Sequence, residues 1–397
     1  MKYSSWVFSA LVLFALCTSV SAEDTCLSYL PDMDFMEYVS CYNYPVESYI
    51  VVTDDEYELM VFRIQAKNTS IVSGKPVTLM WHGLMDACNS WVANEEQIAP
   101  ALILANEGYD VWLANSRGAR YSMGHKKYNP KSSEAYWDFS WQEMSDHDVP
   151  AVFEFIANKT GMKINYVGHS QGTAQMFAAL SNPRGRNEKI TKNLLKFAAL
   201  GPAAYVNHAE SPIFVTLAKS SIALSAFKYF GKYGMFLPGW TSTKSVKFVC
   251  MNWKWMCSKS IENLSDRDPS VDNIERMNVF GSHYPASTSF RNVLHWKQSI
   301  ISGNFSMFDF GPAENMKRYG QETAPEYDLS LIKEKVAMFV GSDDLLANPT
   351  DAKRLFDNMI NAESKTYHEY QRVGHLTFLL GRELAYMNDL LEFLRNQ

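Results

Sequence analysis

The chain has 397 residues and a net charge of −6, with 47% hydrophobic and 20% charged residues. This composition excludes intrinsic disorder, which requires low hydrophobicity and a high net charge. A mildly acidic chain without clusters of lysine and arginine also argues against a nucleic-acid partner. We therefore expect an ordinary globular protein with a large core, built as one large domain or two moderate ones.

Residues 1–22 have the pattern of a secretory signal peptide. Lys2 supplies the positive charge, Trp6–Cys17 the apolar stretch and Val20-Ser21-Ala22 the small-residue cleavage site. Twelve residues rise only about 18 Å as a helix, which is too short to span a bilayer. An uncleaved signal anchor is the alternative. Since no second apolar run of 18 residues follows, we expect no transmembrane segment and a soluble chain that is lumenal or secreted.

Cysteine and asparagine usage fits such a compartment. Five cysteines follow the signal: Cys26, Cys41, Cys88, Cys250 and Cys257. Because five is odd, at least one thiol is free or paired between molecules. Cys250 and Cys257 are close enough to close one local loop, Cys26 and Cys41 could tie down the N-terminal segment, and Cys88 would then be free. N-glycosylation sequons occur at four positions: Asn68, Asn158, Asn263 and Asn304.

Short apolar runs alternate with helical stretches along most of the chain. Such alternation predicts a mostly parallel sheet with helices on both faces, the α/β class. In chain order, the pattern predicts a β-hairpin at Tyr49–Ile64, strands at Val77–Trp81, Asp110–Ala114, Ile164–Val167, Leu194–Leu200, Val336–Val340 and Lys365–Tyr370, and helices at Gln97–Asn106, Asp146–Thr160, Gly172–Leu180, Ala352–Ile360 and, for the most part, His375–Leu394.

The region between the strands at Leu194–Leu200 and Val336–Val340 does not alternate in this way. It is rich in aromatic residues and methionine, as in Phe236–Trp240 and Trp253–Met256. A structureless loop of this length is implausible inside a compact domain. We therefore predict a helical cap at residues 203–334, inserted between core parts at residues 23–202 and 335–397. A second independent domain is the alternative.

A nucleophile is predicted at Ser170. The run Gly168-His169-Ser170-Gln171-Gly172 lies between a predicted strand and a predicted helix. In a nucleophile elbow this strained turn exposes the serine hydroxyl, and the two glycines let the strand and the helix approach closely.

A serine nucleophile needs a base, and the base needs an orienting carboxylate. Among the later histidines, His295 lies in the predicted cap and His368 in the middle of a strand. His375 instead follows Gly374 in a loop after the last strand, so we predict that it is the base. The carboxylate should also follow a strand. Asp343 and Asp344 both do, and a third candidate is Asp351; spacing alone favours Asp344 without excluding the other two.

Two backbone N–H groups should stabilise the oxyanion that forms during acyl transfer. One is the amide after the nucleophile, that of Gln171. The other should come from the loop after an earlier strand, where His82-Gly83-Leu84 follows Val77–Trp81 and makes the Leu84 amide the candidate. A plain tight turn is the alternative for His82-Gly83.

These segments together resemble the acid lipase family, the lysosomal and gastric lipases of the α/β-hydrolase class. The resemblance covers almost the whole chain after the signal. It is carried by Tyr44-Pro45, His82-Gly83-Leu84, Asn115-Ser116-Arg117-Gly118, Phe139-Ser140-Trp141, Gly168–Gly172, the cap residues His283, Asn292 and His295-Trp296, Asp344-Leu345-Leu346-Ala347, and His375-Leu376. Departures from the family pattern occur at Glu56, Ser287 and Asn348, none of which belongs to the predicted triad.

The resemblance implies a serine lipase that hydrolyses esters of neutral lipids at an oil–water or membrane interface. It favours Asp344 over Asp343 as the acid, implies an acid pH optimum, and makes a cap disulfide between Cys250 and Cys257 the expected pairing. No metal and no cofactor is needed. Localisation would be lysosomal or secreted. Alternatives are a non-lipase carboxylesterase or thioesterase on the same fold, and a catalytically silent lipid-binding protein. The choice between triacylglycerol and steryl ester, and the oligomeric state, are left open.

Overall fold

A computed structural model describes residues 33–220, 234–235, 248–250 and 252–396. The predicted signal peptide, Cys26 and the aromatic run Phe236–Trp240 lie outside these described residues. Within these ranges the chain forms a nine-stranded sheet flanked by helices. Its strands are β1 (Val46–Val52), β2 (Tyr57–Ile64), β3 (Val77–Trp81), β4 (Asp110–Ala114), β5 (Gly124–His125), β6 (Ile164–His169), β7 (Leu194–Leu200), β8 (Lys335–Gly341) and β9 (Ser364–Tyr370).

The helices follow the same chain order. They are α1 (Phe35–Cys41), α2 (Pro100–Asn106), α3 (Val149–Thr160), α4 (Gln171–Ser181), α5 (Glu188–Thr191), α6 (Pro212–Lys219), α7 (Lys254–Leu264), α8 (Met277–His283), α9 (Phe290–Ser302), α10 (Pro312–Tyr319), α11 (Pro349–Asn358), α12 (Thr377–Leu380) and α13 (Met387–Arg395).

The strand order is β1-β2-β4-β3-β6-β7-β8-β9, with β5 paired to β2. The first hairpin joins the sheet in antiparallel fashion, whereas every pair from β4 to β9 is parallel. Since the carboxyl ends of parallel strands lie at one edge, the loops after β3, β6, β8 and β9 meet there. The predicted mostly parallel α/β sheet with helices is confirmed.

The central strands are buried on both faces, and alternate side chains enter two separate cores. On β4, Trp112 packs into the core that includes α3 and α4. Its neighbours Val111 and Leu113 pack into the core that includes α2 and α13. Every residue of β3 and β4 is buried, and all but Thr78 and Asp110 are apolar. Such short, mostly apolar runs have clear ends, which explains why their predicted bounds match the observed ones.

The helix bounds differ more from the predictions. The stretch predicted as one helix at Gln97–Asn106 is a 3₁₀ turn at Glu96–Ile98 followed by α2, because Pro100 opens a new helix. A π-helical turn at Met144–Asp148 precedes α3. The C-terminal stretch predicted as mostly helical consists of α12 and α13 with a break at Gly381, where the backbone pairs with Asp272.

Residues 203–334, the predicted cap, contain α6 to α10 among their described residues. The disulfide between Cys250 and Cys257 is present, with its sulfur atoms at the start of α7 and just before it. The last part of this segment returns to the sheet, since Phe305, Tyr327 and Ile332 pack into the same core as α3 and α4. Elsewhere, Cys41 is disulfide-bonded, and Cys88 is a buried free thiol.

Candidate active site

Ser170 occupies the sharp turn between β6 and α4. Its backbone has φ 54° and ψ −121°, which is strained for a residue with a side chain. Close packing makes the flanking glycines necessary. A Cβ atom on Gly172 would lie 2.5 Å from the carbonyl oxygen of Trp81, and one on Gly168 would lie 2.9 Å from the Gly172 carbonyl carbon. The serine is thereby held at the carboxyl edge of the sheet, where it lines a cavity.

His375 and Asp344 form a buried pair beside this turn. Nδ1 of His375 donates to Oδ2 of Asp344 over 2.7 Å. The other carboxylate oxygen, Oδ1, accepts the N–H groups of Leu346 and Ala347 at 2.8 and 2.7 Å. Burial disfavours the charged imidazole, but the adjacent carboxylate outweighs it, so the pKa of His375 is raised. In the neutral imidazole, this arrangement fixes the proton on Nδ1 and leaves Nε2 unprotonated, as the predicted base role requires.

The competing carboxylates lie elsewhere. The Asp343 side chain is partly exposed and accepts a hydrogen bond from Ser342. Asp351 is buried but is paired with His208, whose Nδ1 lies 2.7 Å from it. Of the three aspartates considered from the sequence, Asp344 is therefore the one that contacts His375.

The other histidines considered as bases are held in structural positions. His295 stacks on Trp141 at a centroid distance of 4.0 Å, and Nε2 donates to the Ser306 carbonyl over 3.0 Å. Burial lowers its pKa to about 3, so it is neutral. His368 stacks on Phe339 in the sheet. Both are separated from the cavity that Ser170 and His375 line.

His169 packs against His375 and is hydrogen-bonded to its backbone. Its Nε2 donates to the His375 carbonyl oxygen over 2.9 Å, and the two imidazole rings lie 4.8 Å apart. Burial lowers the pKa of His169 well below its usual value. The lowered pKa keeps the His169 ring neutral, so it places no second positive charge beside the His375 imidazole.

Ser170 and His375 share a cavity of about 70 Å³. Within the described part of the chain, no hydrogen bond joins the serine hydroxyl to the imidazole. Such bonds are often long in free enzymes and shorten when substrate binds.

The two predicted oxyanion donors flank Ser170. The loop after β3 approaches the nucleophile so closely that a Cβ atom on Gly83 would lie 3.0 Å from the Ser170 Cβ, and Leu84 lines the same cavity. Gln171 is the first residue of α4, and the first N–H groups of a helix have no acceptor within it. Both predicted donors therefore belong to segments that lie next to Ser170.

The Gln171 side chain is anchored by the cap, a feature that sequence patterns did not indicate. Its Oε1 accepts hydrogen bonds from Asn292 Nδ2 at 2.9 Å and from Trp296 Nε1 at 2.7 Å. Both donors lie on α9, more than 120 residues further along the chain. In the sequence, the resemblance of Asn292 and Trp296 to the family pattern is the one signal that points to them.

A larger apolar cavity of about 510 Å³ adjoins the cavity that Ser170 lines. It shares walls with the smaller cavity at Leu84, Trp296 and Leu376, among others. The remaining walls come mostly from α6 to α9, and the disulfide between Cys250 and Cys257 forms part of them. The volume lies in the range of small-molecule sites, and an apolar lining suits a hydrocarbon chain.

Comparisons with known proteins agree with this architecture. A family model described as "alpha/beta hydrolase fold" matches residues 76–233, and one described as "Partial alpha/beta-hydrolase lipase region" matches residues 35–95. A soluble variant of monoglyceride lipase from Saccharomyces cerevisiae superimposes with a TM-score of 0.52 at 14% identity, covering 87% of this chain and 95% of that one. The fold is therefore that of the α/β hydrolases.

Relatives among curated proteins are closer in sequence. Gastric triacylglycerol lipase of Rattus norvegicus is 38% identical over 88% of this chain and 87% of its own length. Lipase member K of Mus musculus is 37% identical, with 89% and 88% covered, and lipase lipl-1 of Caenorhabditis elegans is 33% identical, with 95% and 94% covered. The chain belongs to the acid lipase family and is a carboxylic ester hydrolase, which confirms the resemblance noted in its motifs.

Proposed function

We propose that the protein is a serine lipase of the secretory pathway, lysosomal or secreted, that hydrolyses triacylglycerols, steryl esters or both. One observation carries this proposal above the others. A serine on a strained strand-to-helix turn shares its cavity with a histidine–aspartate pair, and that cavity adjoins an apolar cavity of about 510 Å³. The first arrangement suits acyl transfer, and the second suits a long acyl chain.

In the proposed mechanism, Ser170 Oγ attacks the ester carbonyl while Nε2 of His375 takes the hydroxyl proton. Asp344 stabilises the imidazolium that forms. The Leu84 and Gln171 amides hold the oxyanion of the tetrahedral intermediate. When this intermediate collapses, the C–O bond to the alcohol breaks, and His375 returns the proton to the leaving oxygen. Water then attacks the acyl-enzyme by the same route, releasing the fatty acid and restoring the serine.

An apolar surface near the disulfide supports action at a lipid interface. Phe248, Trp253 and Trp255 are 58%, 46% and 67% exposed. Large exposed apolar groups that cluster in one place mark contact surfaces for partners or lipid, and tryptophan is suited to the boundary between water and lipid. Within the described ranges, no helix has the length and apolarity needed to cross a membrane. We therefore expect adsorption to a lipid surface through these side chains.

Residence in the secretory pathway is supported by the surface positions of the sequons and by the disulfides. Asn68, Asn158 and Asn263 are exposed, as a glycan requires. Asn304 is partly buried and donates to Glu326 over 2.8 Å, so we expect lower occupancy there. Disulfides persist in oxidising compartments, which fits the Cys250–Cys257 bond.

The test is hydrolysis of emulsified triolein and cholesteryl oleate between pH 4 and pH 8, with Ser170→Ala as the control. We expect fatty acid release from at least one ester, and loss of that release in the variant. Activity confined to water-soluble esters or thioesters would instead favour a non-lipase esterase. A folded protein without activity on any ester, and without phosphonate labelling of Ser170, would indicate a catalytically silent lipid-binding protein.

A further inference from the structure

The residues 265–273, which follow α7 in the cap, lie between the two loops that carry the proposed acid and base. On one side, Asp266 forms an antiparallel bridge with Asp344. On the other side, Asp272 forms an antiparallel bridge with Gly381, just after α12. The segment is therefore joined by backbone hydrogen bonds to both of the elements that must stay in register for the His375–Asp344 pair to form.

Within this segment, Asp266 holds the backbone of the base loop. Its buried carboxylate accepts the N–H of Leu376 at 2.9 Å and the N–H and hydroxyl of Thr377 at 3.2 Å each. The loop wraps so tightly that a Cβ atom on Gly374 would lie 2.4 Å from the Asp266 Cγ. His375 lies between the residues that make these contacts, so the position of its main chain depends on Asp266.

A second buried carboxyl, that of Asp272, lies against the first. The Asp272 side chain is fully buried. Among the described residues, neither of its oxygens accepts a hydrogen bond of good geometry, because the neighbouring Thr377 hydroxyl donates to Asp266 instead. Two adjacent carboxylates cannot both be ionised at low cost in such surroundings. A proton held by Asp272 removes one of the two negative charges. It also gives the buried Asp272 carboxyl a hydrogen-bond partner, because the protonated group can donate to Asp266.

The electrostatics agree with this reading. Burial, with the neighbouring Asp266 carboxyl as the second cause, raises the pKa of Asp272 to about 8. Burial also raises the pKa of Asp266, whereas the Leu376 amide lowers it. The other charged or titratable groups on the surrounding elements include Asp344 of the acid loop, His375 and Arg372 of the base loop, and Asp268 of the segment itself. Arg382, just after α12, also lies close, since its Nε donates to the Asp272 carbonyl oxygen over 3.1 Å.

We propose that Asp266 is a positioning residue for the reaction: its carboxylate holds the backbone of the loop that carries His375. Asp266 does this while sharing one proton with the neighbouring carboxyl group of Asp272. This inference rests on the proposed role of His375 as the base. Loss of the shared proton in alkaline solution places two negative charges in one buried site. The pair then repels itself, and the base loop loses its support.

The first test is Asp266→Asn, measured with p-nitrophenyl butyrate and normalised to the concentration of folded enzyme. Asparagine keeps one acceptor but not the charge, so the loop shifts. A displacement near 1 Å costs about 10- to 100-fold in kcat, and we expect that loss with KM changed by no more than about twofold. Because the Asp266 charge raises the pKa of His375, the acid limb of the pH profile should also move to lower pH.

The matched control is Asp110→Asn. Asp110 is another buried aspartate, paired with Arg63 at 2.8 Å, but it begins β4 and so lies at the opposite edge of the sheet from Ser170. Loss of the Asp110 charge should reduce the stability of the protein. It should leave both the kcat of the folded protein and the acid limb of its pH profile unchanged. If Asp266→Asn behaves in the same way as this control, Asp266 has only a structural role and the inference is overturned.

The second test is Asp272→Asn, whose amide can donate to Asp266 at every pH. We expect the alkaline limb of kcat to move upward, so that activity at pH 8.5 relative to pH 5 rises by about threefold or more. An unchanged alkaline limb would contradict the claim that Asp266 and Asp272 share a proton. Failure of the proposed function would be seen separately. In that case the unmodified protein would show no ester hydrolysis that the Ser170→Ala substitution abolishes.

Discussion

Substitution of Asp344 by asparagine tests the geometry of the proposed triad most sharply. In the structure, Oδ1 of Asp344 is held by two backbone N–H groups, so an asparagine would keep its oxygen there and turn its NH₂ group toward Nδ1 of His375. That donor requires an unprotonated Nδ1. The proton then resides on Nε2, where it prevents the imidazole from accepting the Ser170 proton.

The expected loss is about 10⁴-fold in kcat, which corresponds to about 5 kcal/mol of transition-state stabilisation. Removal of the carboxylate also takes away the group that raises the pKa of His375, so residual activity should extend to lower pH. The assay is initial-rate hydrolysis of p-nitrophenyl butyrate, with circular dichroism as the check on folding.

The adjacent Asp343→Asn supplies the matched control, since it removes the same charge one residue away. Asp343 is partly exposed and contacts Ser342 rather than His375. We expect its kcat to stay within about threefold of the unmodified enzyme, as for surface changes generally. Loss of activity in Asp343→Asn, or full activity in Asp344→Asn, would contradict the proposed triad.

Three further predictions concern the cap and the buried carboxyls. Trp296→Phe removes the 2.7 Å hydrogen bond to Gln171, so kcat should fall about 5- to 30-fold with little change in KM, as steady-state kinetics would show. Ile300→Trp fills the junction of the two cavities, so kcat/KM for oleate esters should fall about tenfold or more relative to butyrate esters. Burial raises the pKa of Asp86 to about 7 and that of Asp272 to about 8. Because the folded state then holds protons that the unfolded state has lost, stability should fall by about 2 kcal/mol between pH 6.5 and pH 8, measured by urea unfolding. A flat profile there would contradict these raised pKa values.

Much of the fold could be predicted because local patterns determine it. The strands β3, β4 and β7 are short apolar runs with clear ends, and their bounds agree with the prediction. The π-helical turn before α3 was not predictable, since it differs from an α-helix by one residue in hydrogen-bond spacing and leaves no separate periodicity.

The same distinction between local patterns and folded contacts applies to the candidate site. Ser170 belongs to a local motif, so its elbow could be placed from sequence alone. The contact between Asp344 and His375 could not be derived from spacing, because two successive aspartates in a turn point in directions that only the folded loop determines. The contacts of Asp266 and of Trp296 span more than 100 residues, and no periodicity in the sequence encodes them.

The most direct test of the account is labelling with a long-chain alkyl p-nitrophenyl phosphonate, followed by mass spectrometry of the intact protein and its peptides. This reagent requires both an activated serine and an apolar cavity that accepts its chain. We predict one adduct per chain, located on Ser170 and absent from Ser170→Ala. Absence of an adduct on folded protein, or an adduct on a different residue, would contradict the claim that Ser170 is the nucleophile beside the apolar cavity.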